Sequence, residues 1–130
     1  MANRSEEIEQ SKFVRWTHKT AVRALIPQLK WLHHSPNGGQ RSAFTGAQMK
    51  ALGTKPGFPD LILPARSGQH TGLVIEFKSA TGKTSTEQDE WITHFRAQLY
   101  QVHIARSAPE ARTQVANYFG LDPDSLHALE

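Results

Sequence analysis

Lys55-Pro-Gly-Phe-Pro-Asp60-Leu-Ile-Leu-Pro64 and, after a polar turn, Leu73-Val-Ile-Glu76-Phe-Lys78 decide how this chain folds. Each half is a short apolar run, and each carries charge that a plain core strand avoids. Burying an unpaired charge costs several kcal/mol or forces the group to neutralise. Side chains alternate along a strand, so Glu76 and Lys78 share one face while Ile75 and Phe77 share the other. If the two runs pair as a hairpin, Asp60 comes beside Glu76 with Lys78 next to both. Two adjacent carboxylates call for a cation between them, and oxygen ligands at a partly open site suit Mg2+ or Mn2+. A lysine beside such an ion can position a water or stabilise charge on a phosphate oxygen. The chemistry implied is metal-assisted hydrolysis of a phosphodiester. By itself a carboxylate-x-Lys triplet is a very weak signal, and on these three residues alone an ordinary surface hairpin with ion pairs is the better explanation.

The flanking chain sets bounds on this reading. With 130 residues, 38% hydrophobic and 21% charged, it is sized for one globular domain. The expected domain is residues 1–130, with a core over about 5–120 and a polar tail over 121–130 that has little to bury. Fifteen Lys and Arg against 12 Asp and Glu give a net charge of +3, which permits a polyanionic partner without requiring one. The lack of cysteine excludes a disulfide framework and a thiolate zinc site. No apolar run approaches the ~20 residues that span a bilayer, so a soluble, cytoplasmic protein with no membrane partner is expected.

Read in order, Ser5 can cap a first helix running toward Leu25, with Glu6 and Glu7 in its opening turn and Pro27 as its break. Glu6, Gln10 and Val14 line one side of it. Leu29 to His34 reads as a short strand, and Ser35-Pro36-Asn37-Gly38-Gly39 as a turn. The adjacent His33 and His34 would point to opposite faces, so the two cannot easily share a metal. The histidines read mainly as interfacial or core-edge residues. Arg41 to Leu52 reads as a second helix stopped by Gly53. After the two central strands, Ser85-Thr-Glu-Gln88 forms a capping box that opens a helix with Trp91, Ile92, Phe95 and Leu99 on one stripe. Gln101 to Ala105 reads as a strand, and Pro109 starts a last helix ending at Gly120. The order α-β-α-β-β-α-β-α describes an α/β domain with a mixed sheet flanked by helices.

The ordered set is more specific than any one of its parts. Glu6 followed by Gln10, Ser35-Pro36-Asn37-Gly38-Gly39, Gly53, Pro56-Gly57-Phe58-Pro59-Asp60, Ile75-Glu76-Phe77-Lys78 and Gln88 followed by Trp91 together resemble the stand-alone, phage or bacterial VRR-NUC branch of the PD-(D/E)xK nucleases. The resemblance implies the restriction-endonuclease-like fold and metal-dependent cleavage of DNA. Carried over to this chain, Asp60 and Glu76 would hold Mg2+ (or Mn2+), with the backbone carbonyl of Phe77 as a third donor. Lys78 would be the catalytic lysine and Gln88 the supporting glutamine. The acidic residue of the first helix would be Glu6, with Glu9 as the alternative. Asn37, Arg41, Lys50, Lys55 and Lys83 are candidate DNA contacts, and Arg66 is a further basic candidate. The resemblance also implies a homodimer acting on four-way (Holliday) junctions or other branched DNA. A nicking or general duplex nuclease, or a DNA-binding module with a silent site, are the alternatives. Two positions depart from the pattern: Phe58 replaces a smaller aliphatic residue, and Leu99 stands where glycine is expected before the last strand.

Overall fold

Strand β3 (Gly72–Phe77) is buried along its whole length, and the architecture follows from that. A computed structural model describes residues 4–35, 43–127 and 129. β3 lies between β2 (Leu61–Leu63), antiparallel with Leu61 opposite Ile75 and Leu63 opposite Leu73, and β4 (Tyr100–Ala105), which runs parallel to it. The two-residue β1 (His33–His34) pairs antiparallel with β2, giving the order β1-β2-β3-β4. A parallel pair needs a crossover, which helix α4 (Thr86–Ala97) supplies between β3 and β4.

Alternation along β3 then divides the interior in two. Leu73, Ile75 and Phe77 enter the larger cluster with Phe13 and Trp16 of α1 (Arg4–Thr17). Ala111 and Val115 of α5 (Ala108–Tyr118) and Leu126 of α6 (Pro123–His127) complete that side. Val74 instead joins Phe95 and Val102 beneath α4, with Phe58, Trp91 and Ile92 at the margin. The expected Ile75/Phe77 face is therefore the deep core, and Glu76 shares its face with Val74 by the same alternation. Truncating a side chain as enclosed as Phe77 typically costs about 3–5 kcal/mol.

The sheet and the later helices follow the expected pattern. The capping box at Ser85 is formed, since its hydroxyl accepts from the Gln88 amide and Gln88 Oε1 accepts from the Ser85 amide. The N-terminal third differs. The first helix already includes Arg4, so Ser5 lies inside it rather than capping it. It stops at Thr17, whose hydroxyl donates back to the Val14 carbonyl while Arg23 Nε takes the Thr17 carbonyl. A separate α2 (Thr20–Leu25) then turns Val22 into the core. The first half of the strand expected over 29–34 belongs to a 3-10 turn at Pro27–Trp31 that buries Leu29. Proline at its first position presets that turn and leaves His33–His34 as the paired residues.

The second helix, α3, spans Ala43–Ala51, and Gly53 follows it at φ +103°. The expected turn at 36–39, Asn37 and Arg41 lie outside the described residues. The C-terminal stretch corrects the expectation of a tail with little to bury. Leu126 is 1% exposed and Leu129 packs against the same cluster.

Candidate active site

Register brings the two carboxylates together. The β2–β3 pairing ends at Leu61 and Ile75, which leaves Asp60 and Glu76 facing one step further on. Asp60 Oδ2 accepts from the Phe77 backbone N–H at 2.8 Å. Its own carbonyl is approached by His34 Nδ1 at 2.8 Å and by the Ser35 N–H at 3.3 Å. Glu76 is 4% exposed. Burial pushes its carboxyl up to about 9, the adjoining Asp60 carboxyl pushes the same way, and the Lys78 cation pulls weakly against both. A carboxylate pair in this setting holds a proton or a cation between its members.

A cleft of about 460 Å³ opens over this pair, and Glu6, Asp60, Glu76, Phe77, Lys78, Lys83 and Gln88 all line it. Gln88 does two things with one side chain. Its Oε1 closes the capping box, and its Nε2 donates to Glu76 Oε1 at 3.4 Å. Pro56 and Gly57 also line the cleft, in a loop held to α4 by Trp91 Nε1, which donates to the Pro56 carbonyl at 3.0 Å. Gly57 has φ +81°, and a Cβ there would lie 2.6 Å from the Glu87 carbonyl carbon, so glycine is required at that contact. The departure at Phe58 has a packing reason, as its ring sits edge-on to Trp91 at 4.9 Å and to Phe95 at 5.8 Å. Arg106 Nη1 donates to the carbonyls of Ser79 and Gly82 and so fixes the turn that follows Lys78.

Of the three acids of α1, Glu7 lines the cleft beside Glu6, and the two site candidates, Glu6 and Glu9, lie apart. Glu6 lines the cleft. Glu9 Oε1 accepts from the Ala108 N–H at 2.9 Å, at the start of α5, and Oε2 takes Lys12 at 3.0 Å. The Ala108 bond and Lys12 hold its carboxyl below the ordinary value. Lys50 and Lys55 are outside the cleft lining: Lys50 is exposed on α3, and Lys55 lines neighbouring grooves beside Trp91. Arg66 is exposed beyond β2, also away from the cleft lining. Sequence reasoning missed the support beneath Asp60. His34 Nδ1 lies 3.0 Å from Gln10 Nε2 as well as against the Asp60 carbonyl, linking α1, β1 and the start of β2. The pattern of Gln10 four residues after Glu6 marked one member, while nothing local to His34 distinguished it from His33.

The donor set suits a hard divalent ion. It consists of oxygens, and Glu76 is buried against a second carboxyl without a counter-charge that outweighs burial. Among the described residues no group of three or more His, Asp or Glu side chains converges. Two carboxylates are nevertheless enough for Mg2+, which keeps its other positions for water and substrate phosphate. The Phe77 N–H points at Asp60, and within a strand residue the carbonyl leaves on the same edge as the N–H.

Comparison with known proteins agrees with this geometry. The profile of the VRR-NUC domain matches residues 4–109. A solved structure of a "VRR_NUC domain protein" is similar over 93% of this chain and 93% of its own, at 26% identity and a TM-score of 0.73. No curated protein matches the chain. No helix among the described residues is long and apolar enough to cross a membrane. A match over most of the length, in a chain whose sheet and flanking helices superpose on that structure, makes this protein a member of the VRR-NUC family of DNA nuclease domains.

Proposed function

We propose that the chain is a divalent-metal-dependent endodeoxyribonuclease whose reacting groups are Glu6, Asp60, Glu76, Lys78 and Gln88. The observation that carries this is the buried Glu76 carboxyl, pushed up by burial and by the adjoining, half-buried Asp60, and set in a cleft with Lys78. Asp60, Glu76 and the Phe77 carbonyl would hold Mg2+ or Mn2+. Bound there, the ion supplies a Lewis acid that polarises the scissile phosphate and makes its water a better nucleophile at neutral pH. Lys78 stabilises negative charge on the non-bridging oxygens as water adds to phosphorus. Gln88 fixes the Glu76 carboxyl, and Glu6 orients the attacking water by accepting its hydrogen bond. His34 and Gln10 keep the Asp60 backbone in place. Lys83, on the rim, meets an adjacent phosphate, and Asn37, Arg41, Lys50 and Lys55 are further candidate contacts.

The substrate proposed is branched DNA, four-way junctions above all, cut by a homodimer. A two-fold dimer sets two equivalent sites against a nearly two-fold substrate, and a domain of 130 residues is too small to embrace a junction alone. Residues 1–130 act as one nuclease domain, in the cytoplasm where the DNA is, the host's if the gene is a phage's.

The test uses matched four-way-junction and linear duplexes with Mg2+, Mn2+ or EDTA, beside Lys78→Ala. Metal-dependent cutting of the junction, abolished by the substitution, is the expected result. Equal cutting of both DNAs would remove structure selectivity and keep the nuclease. Junction binding with no cutting under any metal would replace the enzyme by a binding module. Light scattering at micromolar concentration should give twice the 14.5 kDa chain mass, and a monomer would refute the dimer.

A further inference from the structure

Strands β3 and β4 part at the edge of the cleft. Phe77 stands opposite Ala105 as their last pair, and the Lys78 N–H donates to the Ala105 carbonyl at 3.0 Å. Beyond that bond the β3 chain turns toward α4 and the β4 chain toward α5. One side chain reaches back across the gap. Arg106 Nη1 donates to the Ser79 carbonyl at 2.6 Å and to the Gly82 carbonyl at 2.8 Å, so a side chain continues the ladder where the backbones have separated. Arg106 is itself held on both sides. Ala105 ends β4, and Ser107 caps α5 by accepting from the Glu110 N–H at 3.2 Å. The turn that Arg106 grips is closed by the Gly82 N–H, which donates to the Ser79 carbonyl at 3.2 Å. After it the Thr84 hydroxyl donates to Asp89 of α4. Lys83 lies between these two fastenings, and among the described residues 79–84 it alone lines the cleft.

We propose that Arg106 is a positioning residue for DNA binding, which pins the peptide leading into Lys83 and so holds the Lys83 ammonium at the cleft for a phosphate beside the scissile one. The inference rests on the nuclease reading. The Gly82 carbonyl and the Lys83 nitrogen belong to one planar peptide unit, so a bond to that carbonyl fixes where the Lys83 backbone begins. A lysine on a free connection loses more freedom on meeting a phosphate than one whose backbone is already set, and the difference appears as affinity. Lys78 does not depend on Arg106 in this way, because its own N–H is held by the Ala105 carbonyl. Arg106 therefore acts on binding, through Lys83, and leaves the chemical step to Asp60, Glu76 and Lys78.

The test is a double-mutant cycle of Arg106→Ala and Lys83→Ala, read on binding of four-way-junction and linear duplex DNA in EDTA across a salt series, and on cleavage with metal. Both side chains are exposed, so neither substitution opens the core. Arg106→Ala alone should raise KM and the dissociation constant about fivefold, the scale of one lost hydrogen bond, with the single-turnover rate at saturating DNA within about twofold of wild type. Lys83→Ala should flatten the plot of log affinity against log salt by about one unit. In the Lys83→Ala background, removing Arg106 should change affinity by less than about twofold and flatten the plot no further. Additive losses, with the double variant flattened by about two units, would overturn the proposal and make Arg106 a phosphate contact in its own right. An Arg106→Ala protein with wild-type affinity, or one whose saturated rate falls as far as its KM rises, would overturn it as well. Additive losses in a protein that cuts DNA would leave the nuclease intact, whereas coupled losses in one that binds and does not cut would support the positioning role and defeat the nuclease.

Discussion

Glu9 and Glu76 are both tied into the fold by hydrogen bonds, and their carboxyls are driven in opposite directions. Glu9 meets a helix N-terminal N–H and a lysine, and its pKa falls. Glu76 meets burial and a second carboxyl, and its pKa rises to about 9. The first arrangement is satisfied as it stands and serves the junction of α1 with α5. The second is in conflict until something positive enters. Stability alone would not select that conflict, since replacing it by apolar groups is commonly neutral or favourable. The contrast separates, in chemically identical side chains, an acid already satisfied by the fold from one that, on the proposed reading, takes a cation.

Substitution at the two places should break the symmetry between them. Asp60→Asn or Lys78→Ala should lower cleavage by about 10²–10³-fold or more, the scale lost when a group that stabilises developing charge is removed. Glu9→Gln should leave the single-turnover cleavage rate within about threefold of wild type. A Glu9→Gln enzyme as inactive as Lys78→Ala would show that the two acids had been assigned the wrong way round.

Unfolding titrations should sharpen the same contrast. In EDTA, the raised folded-state pKa of Glu76 gives a contribution fully present below pH ~4.5 and lost as pH climbs toward 9. The fall should reach at most about 1.4 kcal/mol per pH unit. Glu76→Gln should flatten that slope, and Mg2+ should flatten it in wild type by replacing the proton. Glu9 acts oppositely, because its depressed pKa gives stability above the unfolded value that is lost on acidification. Glu9→Gln should therefore cost about 1 kcal/mol at pH 7, typical of a lost helix N-terminal bond, and less at pH 3. Denaturant melts at pH 3, 5, 7 and 9 test both signs.

The smallest expected effect lies at Leu99, which has φ +67° and is 61% exposed. A left-handed backbone penalises a β-carbon by about 1–2 kcal/mol, so Leu99→Gly should stabilise the fold by about 1 kcal/mol. That corresponds to a rise of about 4 °C in Tm for a chain of this size. No change, or a fall, would mean that the exposed leucine packs against something in solution.

Which parts were legible in the sequence follows from how local their causes are. The alternation of Leu73 to Lys78 and the capping box at Ser85 are encoded within a few residues, and each took the expected form. Leu99, expected on the apolar stripe of α4, instead lies beyond the helix end at Ala97, exposed and left-handed where the family pattern has glycine. The pairing of Asp60 with Glu76 could be anticipated because a short turn joins their strands. Which of Glu6 and Glu9 faces the cleft could not be, since Glu9 is drawn to α5, about a hundred residues later, by the Ala108 N–H. The 3-10 turn at Pro27–Trp31 hid behind the apolar pattern of Leu29 and Leu32, which serves either form once both side chains pack inward. His34 is legible only from the register that sets it against the Asp60 carbonyl.

Gln88 makes one side chain answerable to two structures. The carbonyl oxygen of its amide holds the first turn of α4 closed, and the nitrogen of the same amide rests on Glu76. A frayed α4 start therefore withdraws support from Glu76 in the same motion. On the proposed reading of Glu76 this makes a folding interlock: molecules that have not finished assembling that helix, or are beginning to lose it, would lack a properly set metal site and stay inactive.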